Sequence, residues 1–222
     1  MSAGSIDIYQ HTASVPPVRG FLHRPDSANG KAIVLTHGAG SNCRAPLLVA
    51  VAEEFAATGF LVLRCDLPFR QVRSFGPPRP GDASGDRAGL ERAVELIRKE
   101  TSGAIFLGGH SYGGRQASML AAEKPEMAQG LLLLSYPLHP PRKPEQLRTA
   151  HFSKLTGSAL FVHGTRDPFA TPDELRSALT LIPAKTRLLE VEGAGHDLGF
   201  KGKSFRAELP RQIREEFLTL FG

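Results

Sequence analysis

Short, mostly apolar runs recur along this chain, separated by stripes at helical spacing, and that recurrence leaves few folds open. Ala32-Ile33-Val34-Leu35-Thr36, Phe60-Leu61-Val62-Leu63, Ala104-Ile105-Phe106-Leu107, Leu131–Leu134, Leu160-Phe161-Val162 and Leu188-Leu189-Glu190-Val191 are the runs. A strand with one wet face alternates apolar and polar residues. A strand apolar throughout is buried on both faces, as in a parallel sheet covered by helices. Between the runs, Leu48, Val51, Ala52 and Phe55 fall on one helical face, and Leu90, Ala93, Val94 and Ile97 repeat the spacing. Gln116–Glu123 predicts another helix, and Ile213, Phe217 and Leu220 share a face of a closing one. Residues 5–10 and 18–23 predict a leading antiparallel hairpin. The expected class is α/β, with a mostly parallel central sheet and helices on both faces. The Pro-rich stretches 76–80 and 137–144 are too short to divide the chain, so residues 1–222 are expected to form one domain.

Composition narrows the function. Two cysteines, Cys43 and Cys65, in 222 residues exclude a disulfide scaffold and any CxxC zinc site. Both are expected to be small core groups. No H-E-x-x-H is present and the eight histidines are scattered, so neither a metal nor a cofactor is expected. No apolar run approaches the ~18 residues of a membrane span. Met1–Asp7 has neither the basic nor the apolar part of a secretory leader, so a cytoplasmic location is expected. The net charge of +5 raises a nucleic-acid reading. Its excess, however, lies in two segments. Residues 67–81 carry Arg70, Arg73 and Arg79 with no acid, and residues 137–154 carry Arg142, Lys143, Arg148 and Lys154 against Glu145. A nucleic-acid stripe would more often occupy a helix face or a dense tail, and none is expected here.

Chemistry concentrates after the strands. Gly109-His110-Ser111-Tyr112-Gly113 lies between a buried strand and a helix, the context a G-x-S-x-G nucleophile elbow requires. The turn is sharp and strained, and the flanking glycines let strand and helix approach without Cβ clashes. A serine hydroxyl needs a base within hydrogen-bond reach. His196, in the glycine-flanked loop Glu192-Gly193-Ala194-Gly195-His196-Asp197, stands where that base is needed. His37 and His163 end strands, and His110 is expected to point away from Ser111. The acid that orients the base is Asp167, after the fifth run, with Asp66 as its rival; Asp197 is too close to His196 in sequence to serve. The order Ser111…Asp167…His196 is nucleophile, acid, base. The Tyr112 N–H and, from His37-Gly38-Ala39-Gly40, the Ala39 N–H are the candidate oxyanion donors. That loop is no phosphate cradle, for no G-K-S/T follows and position 43 is Cys where a third glycine would be required.

Together, Gly38-Ala39-Gly40, the Gly109–Gly113 elbow, Asp167 and His196 resemble the α/β-hydrolase superfamily over essentially residues 18–222. The likeness is to small, capless members of the dienelactone-hydrolase type. Asp66-Leu67-Pro68-Phe69-Arg70-Gln71 and Tyr136-Pro137-Leu138-His139-Pro140-Pro141 resemble a little-characterised branch of predicted hydrolases. Dienelactone hydrolase itself uses a cysteine nucleophile, so its substrate does not carry over to Ser111. The resemblance implies an enzyme that cleaves a carboxylic ester, thioester or lactone of a small molecule through an acyl-enzyme intermediate. The superfamily also holds peptidases, acyltransferases and non-catalytic interaction domains, and fold alone does not choose among them. The two basic segments leave the same sheet edge as Ser111 and hold eight of the 17 prolines. Arg70 and Arg142 are therefore expected to line a stiff cationic rim that favours an anionic ester.

Overall fold

The computed structural model describes residues 4–200 and 207–222. Among these residues eight strands form one sheet: β1 (Ser5–His11), β2 (Val18–Arg24), β3 (Ala32–Thr36), β4 (Leu61–Cys65), β5 (Ile105–His110), β6 (Gly130–Leu134), β7 (Ser158–Gly164) and β8 (Thr186–Val191). Their spatial order is β1-β2-β4-β3-β5-β6-β7-β8. The β1–β2 hairpin and the β2–β4 pair are antiparallel; every pairing from β4 to β8 is parallel. Among the described residues the α-helices are α1 (Pro46–Ala56), α2 (Pro68–Val72), α3 (Asp82–Ile97), α4 (Tyr112–Glu123), α5 (Pro172–Leu179) and α6 (Leu209–Phe221). This is the α/β-hydrolase architecture, and among the described residues no large cap stands over the sheet.

Every residue of β3, β4 and β6 is buried, as continuous apolar runs demand. Alternate strand residues feed two cores. Val34, Leu63 and Leu107 pack with α3, α4 and α5 residues such as Leu90, Leu120 and Leu175. Ile33, Val62 and Phe106 face α1 and α6, and Phe217 meets Phe55, Phe60 and Phe106 edge to face at centroid distances of 4.9–6.1 Å. Two elements go beyond the sequence expectation. The segment after β4 contains the short α2, and α3 begins at Asp82, two turns before its apolar stripe. Residues 67–81 are thus less a loop than a helix and its anchored exit.

Parallel strands put all their carboxyl ends on one edge. β3 lies between β4 and β5, so the chain leaves it in opposite directions on its two sides, and such a switch point opens a crevice at that edge. His37, Asp66, Ser111 and Thr165 all emerge there.

Candidate active site

Ser111 joins β5 to α4 with φ 52° and ψ −119°, a conformation that L-residues rarely adopt. Two contacts hold it: its N–H donates to the Leu134 carbonyl at 2.8 Å, and its own carbonyl accepts from the Arg115 N–H at 3.0 Å. The glycines are steric necessities. A Cβ on Gly109 would lie 2.6 Å from the Thr36 carbonyl oxygen, and one on Gly113 would lie 2.5 Å from that of His37. The elbow can therefore sit against the end of β3 only with hydrogen at both positions.

The structure brings Ser111, His196 and Asp167 into one hydrogen-bonded line. Ser111 Oγ lies 2.7 Å from His196 Nε2, and His196 Nδ1 lies 2.8 Å from Asp167 Oδ2. The carboxylate can only accept, so Nδ1 carries the proton and Nε2 presents its lone pair to the serine hydroxyl. The Asp167 side chain is fully buried, and its Oδ1 accepts from the Phe169 N–H at 2.9 Å. His163 lies beneath it, with Nε2 at 3.7 Å from Oδ2 and donating to the Ala170 carbonyl at 2.9 Å. Burial lowers the His163 pKa more than the neighbouring Asp167 charge raises it, so this second imidazole stays neutral. Phe169 closes over the His196 ring at 4.2 Å between centroids, tilted by 33°.

The rival acid is engaged elsewhere. Asp66 Oδ1 accepts from the Cys43 N–H at 2.7 Å and lies 3.6 Å from His37 Nε2. Asp197 Oδ1 accepts from the Gly199 N–H at 3.1 Å. The His110 Nε2 donates to the His196 carbonyl at 2.8 Å, and the two rings stand 5.2 Å apart. It thus props the backbone that carries His196.

The loop His37–Gly40, which carries the candidate donor Ala39, is held from behind by two side chains that sequence reasoning assigned differently or passed over. His37 is fully buried; its Nδ1–H donates to the Gly38 carbonyl at 2.9 Å, while its Nε2 accepts from the Leu67 N–H at 3.1 Å. Burial lowers its pKa, which keeps one nitrogen a donor and the other an acceptor. The Ser41 N–H also donates to the Gly38 oxygen, at 3.0 Å. With that carbonyl fixed inward, the planar trans peptide turns the Ala39 N–H the opposite way.

Arg70 holds the next peptides. It is 7% exposed, and its guanidinium donates to the carbonyls of Ser41 at 2.7 Å, Ala39 at 2.9 Å, Gly76 at 2.8 Å and Arg73 at 3.1 Å. The expectation of Arg70 as an exposed rim cation is corrected: four of its five N–H donors are spent on backbone oxygens. Arg73 is likewise engaged, by Asp82 and the Pro77 carbonyl. Arg142 is exposed in left-handed backbone (φ 62°), and among the described residues no hydrogen bond or ion pair steadies its side chain. The stiff two-arginine rim is therefore not what the fold builds.

Tyr112 opens α4, so its N–H has no acceptor within the helix and stands at the positive end of the helix dipole. The phenol is anchored away from this group: its hydroxyl donates to Asp86 Oδ2 at 2.8 Å, and Asp86 Oδ1 accepts from the Phe69 N–H at 3.0 Å. Burial raises the pKa of both Asp86 and Tyr112, most strongly the phenol. Asp86 was not singled out by sequence, because it lies in the stretch Asp82–Gly89 that shows no apolar periodicity. Both cysteines are buried, and burial pushes the Cys43 thiol up to about 12. Among the described residues no group of three or more His, Cys, Asp or Glu is placed to hold a metal ion, and no helix is long and apolar enough to cross a membrane.

Comparison with known proteins agrees with the architecture. Dienelactone hydrolase from Anabaena variabilis superposes with a TM-score of 0.78 at 20% identity, covering 99% of each chain. A lidless serine hydrolase from Xanthomonas campestris gives 0.73 at 16% identity, covering 99% of this chain and 96% of that one. Est1E from Butyrivibrio proteoclasticus gives 0.72 at 17% identity, covering 92% and 95%. At these identities the likeness is one of fold. The sequence itself matches the model of the alpha/beta hydrolase domain family over residues 29–215. The chain belongs to the alpha/beta hydrolase family and is a hydrolase.

Proposed function

We propose that this hydrolase cleaves a carboxylic ester, or a thioester or lactone, of a small molecule with Ser111 as nucleophile, His196 as general base and Asp167 as the acid that orients it. The observation that carries the reading is the relay itself, with Ser111 Oγ to His196 Nε2 at 2.7 Å and His196 Nδ1 to Asp167 Oδ2 at 2.8 Å. Ser111 Oγ attacks the carbonyl carbon as its proton passes to His196 Nε2, and the buried Asp167 carboxylate stabilises the resulting imidazolium. The tetrahedral oxyanion is received by the Ala39 and Tyr112 N–H groups. Its collapse expels the alcohol or thiol, which takes the proton from His196. Water then attacks the acyl-serine by the same base, releasing the acid and restoring Ser111.

The test is a fluorophosphonate probe followed by peptide mass mapping, run beside an ester and thioester panel. A phosphonyl adduct on Ser111, together with turnover abolished in Ser111→Ala, is the expected result. An unlabelled Ser111, or retained turnover in that variant, would overturn the mechanism.

A further inference from the structure

Ser111 follows β5 and Asp167 follows β7, with β6 between the two strands. At about 4.8 Å per strand step, roughly 10 Å of sheet edge separates them. The His196 ring has to bridge that gap, so its place along the edge decides whether both of its nitrogens reach their partners. On the β7 side the loop that carries the base is tied to the strand end. The Ala194 carbonyl accepts from the Arg166 N–H at 2.9 Å, and Thr165 Oγ1 accepts from the Gly193 N–H at 2.8 Å. His196 Nδ1 meets the Asp167 carboxylate on the same side.

On the β5 side a tie comes from the residue that precedes the nucleophile. His110 is the last residue of β5, and its Nε2 lies 2.8 Å from the His196 carbonyl oxygen. A carbonyl can only accept, so Nε2 carries the proton and donates it. The contact is made to the backbone of the proposed base itself, with no side chain in between. Gly38 leaves the room for this ring: a Cβ there would lie 3.0 Å from His110 Nδ1 and 3.4 Å from Ser111 Cβ. The half-buried His110 ring thus stands between the His37–Gly40 loop and the base loop, one residue from Ser111.

We propose that His110 is a positioning residue for the acyl transfer, its Nε2–H holding the His196 backbone at the spacing from β5 that brings the base to Ser111 Oγ; this rests on the serine-hydrolase reading above. Because His110 and Ser111 are consecutive, a shift of the elbow carries the His196 carbonyl with it, and the 2.7 Å contact between nucleophile and base is kept. Misplacing reacting groups by about 1 Å costs on the order of 10² in rate. A tie that fixes this spacing therefore acts on kcat and leaves KM nearly alone.

The experiment measures kcat and KM on p-nitrophenyl acetate, and the rate of fluorophosphonate labelling at Ser111, in the wild-type chain and in His110→Ala, His110→Gln and His110→Asn. The Gln amide nitrogen stands as many bonds from Cβ as the imidazole Nε2, whereas the Asn nitrogen falls one bond short. His110→Ala and His110→Asn should lower kcat and the labelling rate by about 10- to 100-fold with KM within about threefold. His110→Gln should recover both rates to within about threefold of wild type. The second readout is coupling. With His196→Ala already in place, adding His110→Ala should change the residual turnover by less than about twofold, because the group being positioned is gone. An equal fractional loss in both backgrounds would overturn the proposal and make His110 a packing residue of the elbow. Wild-type kcat in His110→Ala, or Gln no better than Asn, would overturn it too; should His110→Ala not fold, the Gln–Asn comparison decides alone. Any of these outcomes with Ser111 labelled in the wild type removes only the His110 assignment. A wild-type Ser111 left unlabelled, with no ester turned over, would overturn the hydrolase mechanism and this proposal with it.

Discussion

Replacing Arg70 by Ala separates a structural clamp from a surface charge, because the two roles give opposite results in one pair of measurements. The substitution removes four hydrogen bonds from a charged donor to the carbonyls of Ala39, Ser41, Arg73 and Gly76. Each such bond contributes about 1.5–3 kcal/mol in a buried setting. The clamp lies close to solvent, and water entering the vacated space re-satisfies part of that, so a net loss of about 2–4 kcal/mol is expected. For a chain of this size that lowers Tm by roughly 5–15 °C, read by far-UV circular dichroism. The activity effect follows from geometry. An oxyanion donor is worth about 10²–10³ in kcat when removed outright. Releasing the Ala39 peptide from its brace, with His37 still in place, should lower kcat by about 10- to 100-fold on p-nitrophenyl acetate with KM little changed. Arg70→Lys should recover little of either, since an ammonium cannot fork to four carbonyls. A solvated rim cation would behave otherwise, leaving Tm within about 1 °C and raising KM for anionic esters in a salt-dependent way. That outcome would refute the clamp.

Ser111→Ala and His196→Ala should each lower kcat by at least ~10⁴ while circular dichroism shows the fold retained. Asp167→Asn should cost on the order of 10⁴ by favouring the wrong His196 tautomer, whereas Asp66→Asn should spare the chemical step; the reverse pattern would mean the acid has been misassigned. Stability should fall in acid. His23 and His151 are held down to about 4 by burial and by nearby arginines, and His23 Nε2 is the acceptor of an Arg64 N–H at 2.8 Å. The unfolded chain protonates these rings near pH 6.5 and the folded chain only near 4. Between those values the unfolded state therefore binds more protons, and stability falls by up to ~1.4 kcal/mol per pH unit per ring. Thermal melts from pH 7 to 4.5 should show a falling Tm that His151→Gln makes shallower; a flat series would contradict the assignment.

What the sequence made legible was whatever has a period or a fixed spacing. The apolar runs marked β3 to β7 because burial on both faces favours apolar residues there, and the buried Thr36 and Arg64 within β3 and β4 are tolerated because each donates to a carbonyl. The elbow was legible because only glycine tolerates the approach of β3 to Gly109 and Gly113. Arg70 was misread for a reason of the same kind. A guanidinium that caps backbone carbonyls leaves no mark in sequence, since every residue offers a carbonyl, and a cation in a Pro-rich segment reads as solvated. The first two turns of α3 were missed because a buried Asp86 and the tightly packed Gly89 stand where an apolar stripe would be sought. His110 and His37 were visible as residues. Their acceptors, carbonyls at positions 196 and 38, depend on loop paths that no periodicity encodes.

The backbone at Ser111 carries a consequence for descent. Glycine would occupy φ 52°, ψ −119° with far less strain, and a non-glycine residue in so sparse a region costs about 1–3 kcal/mol. A lineage that kept this architecture only as a docking platform would gain stability from the single exchange Ser111→Gly, with no chemistry to lose. Mutational drift would then push position 111 toward glycine in retired relatives, while those that use this position as nucleophile would keep serine or cysteine there. The identity of that one residue among homologues is thus a readable record of whether each copy still turns over substrate.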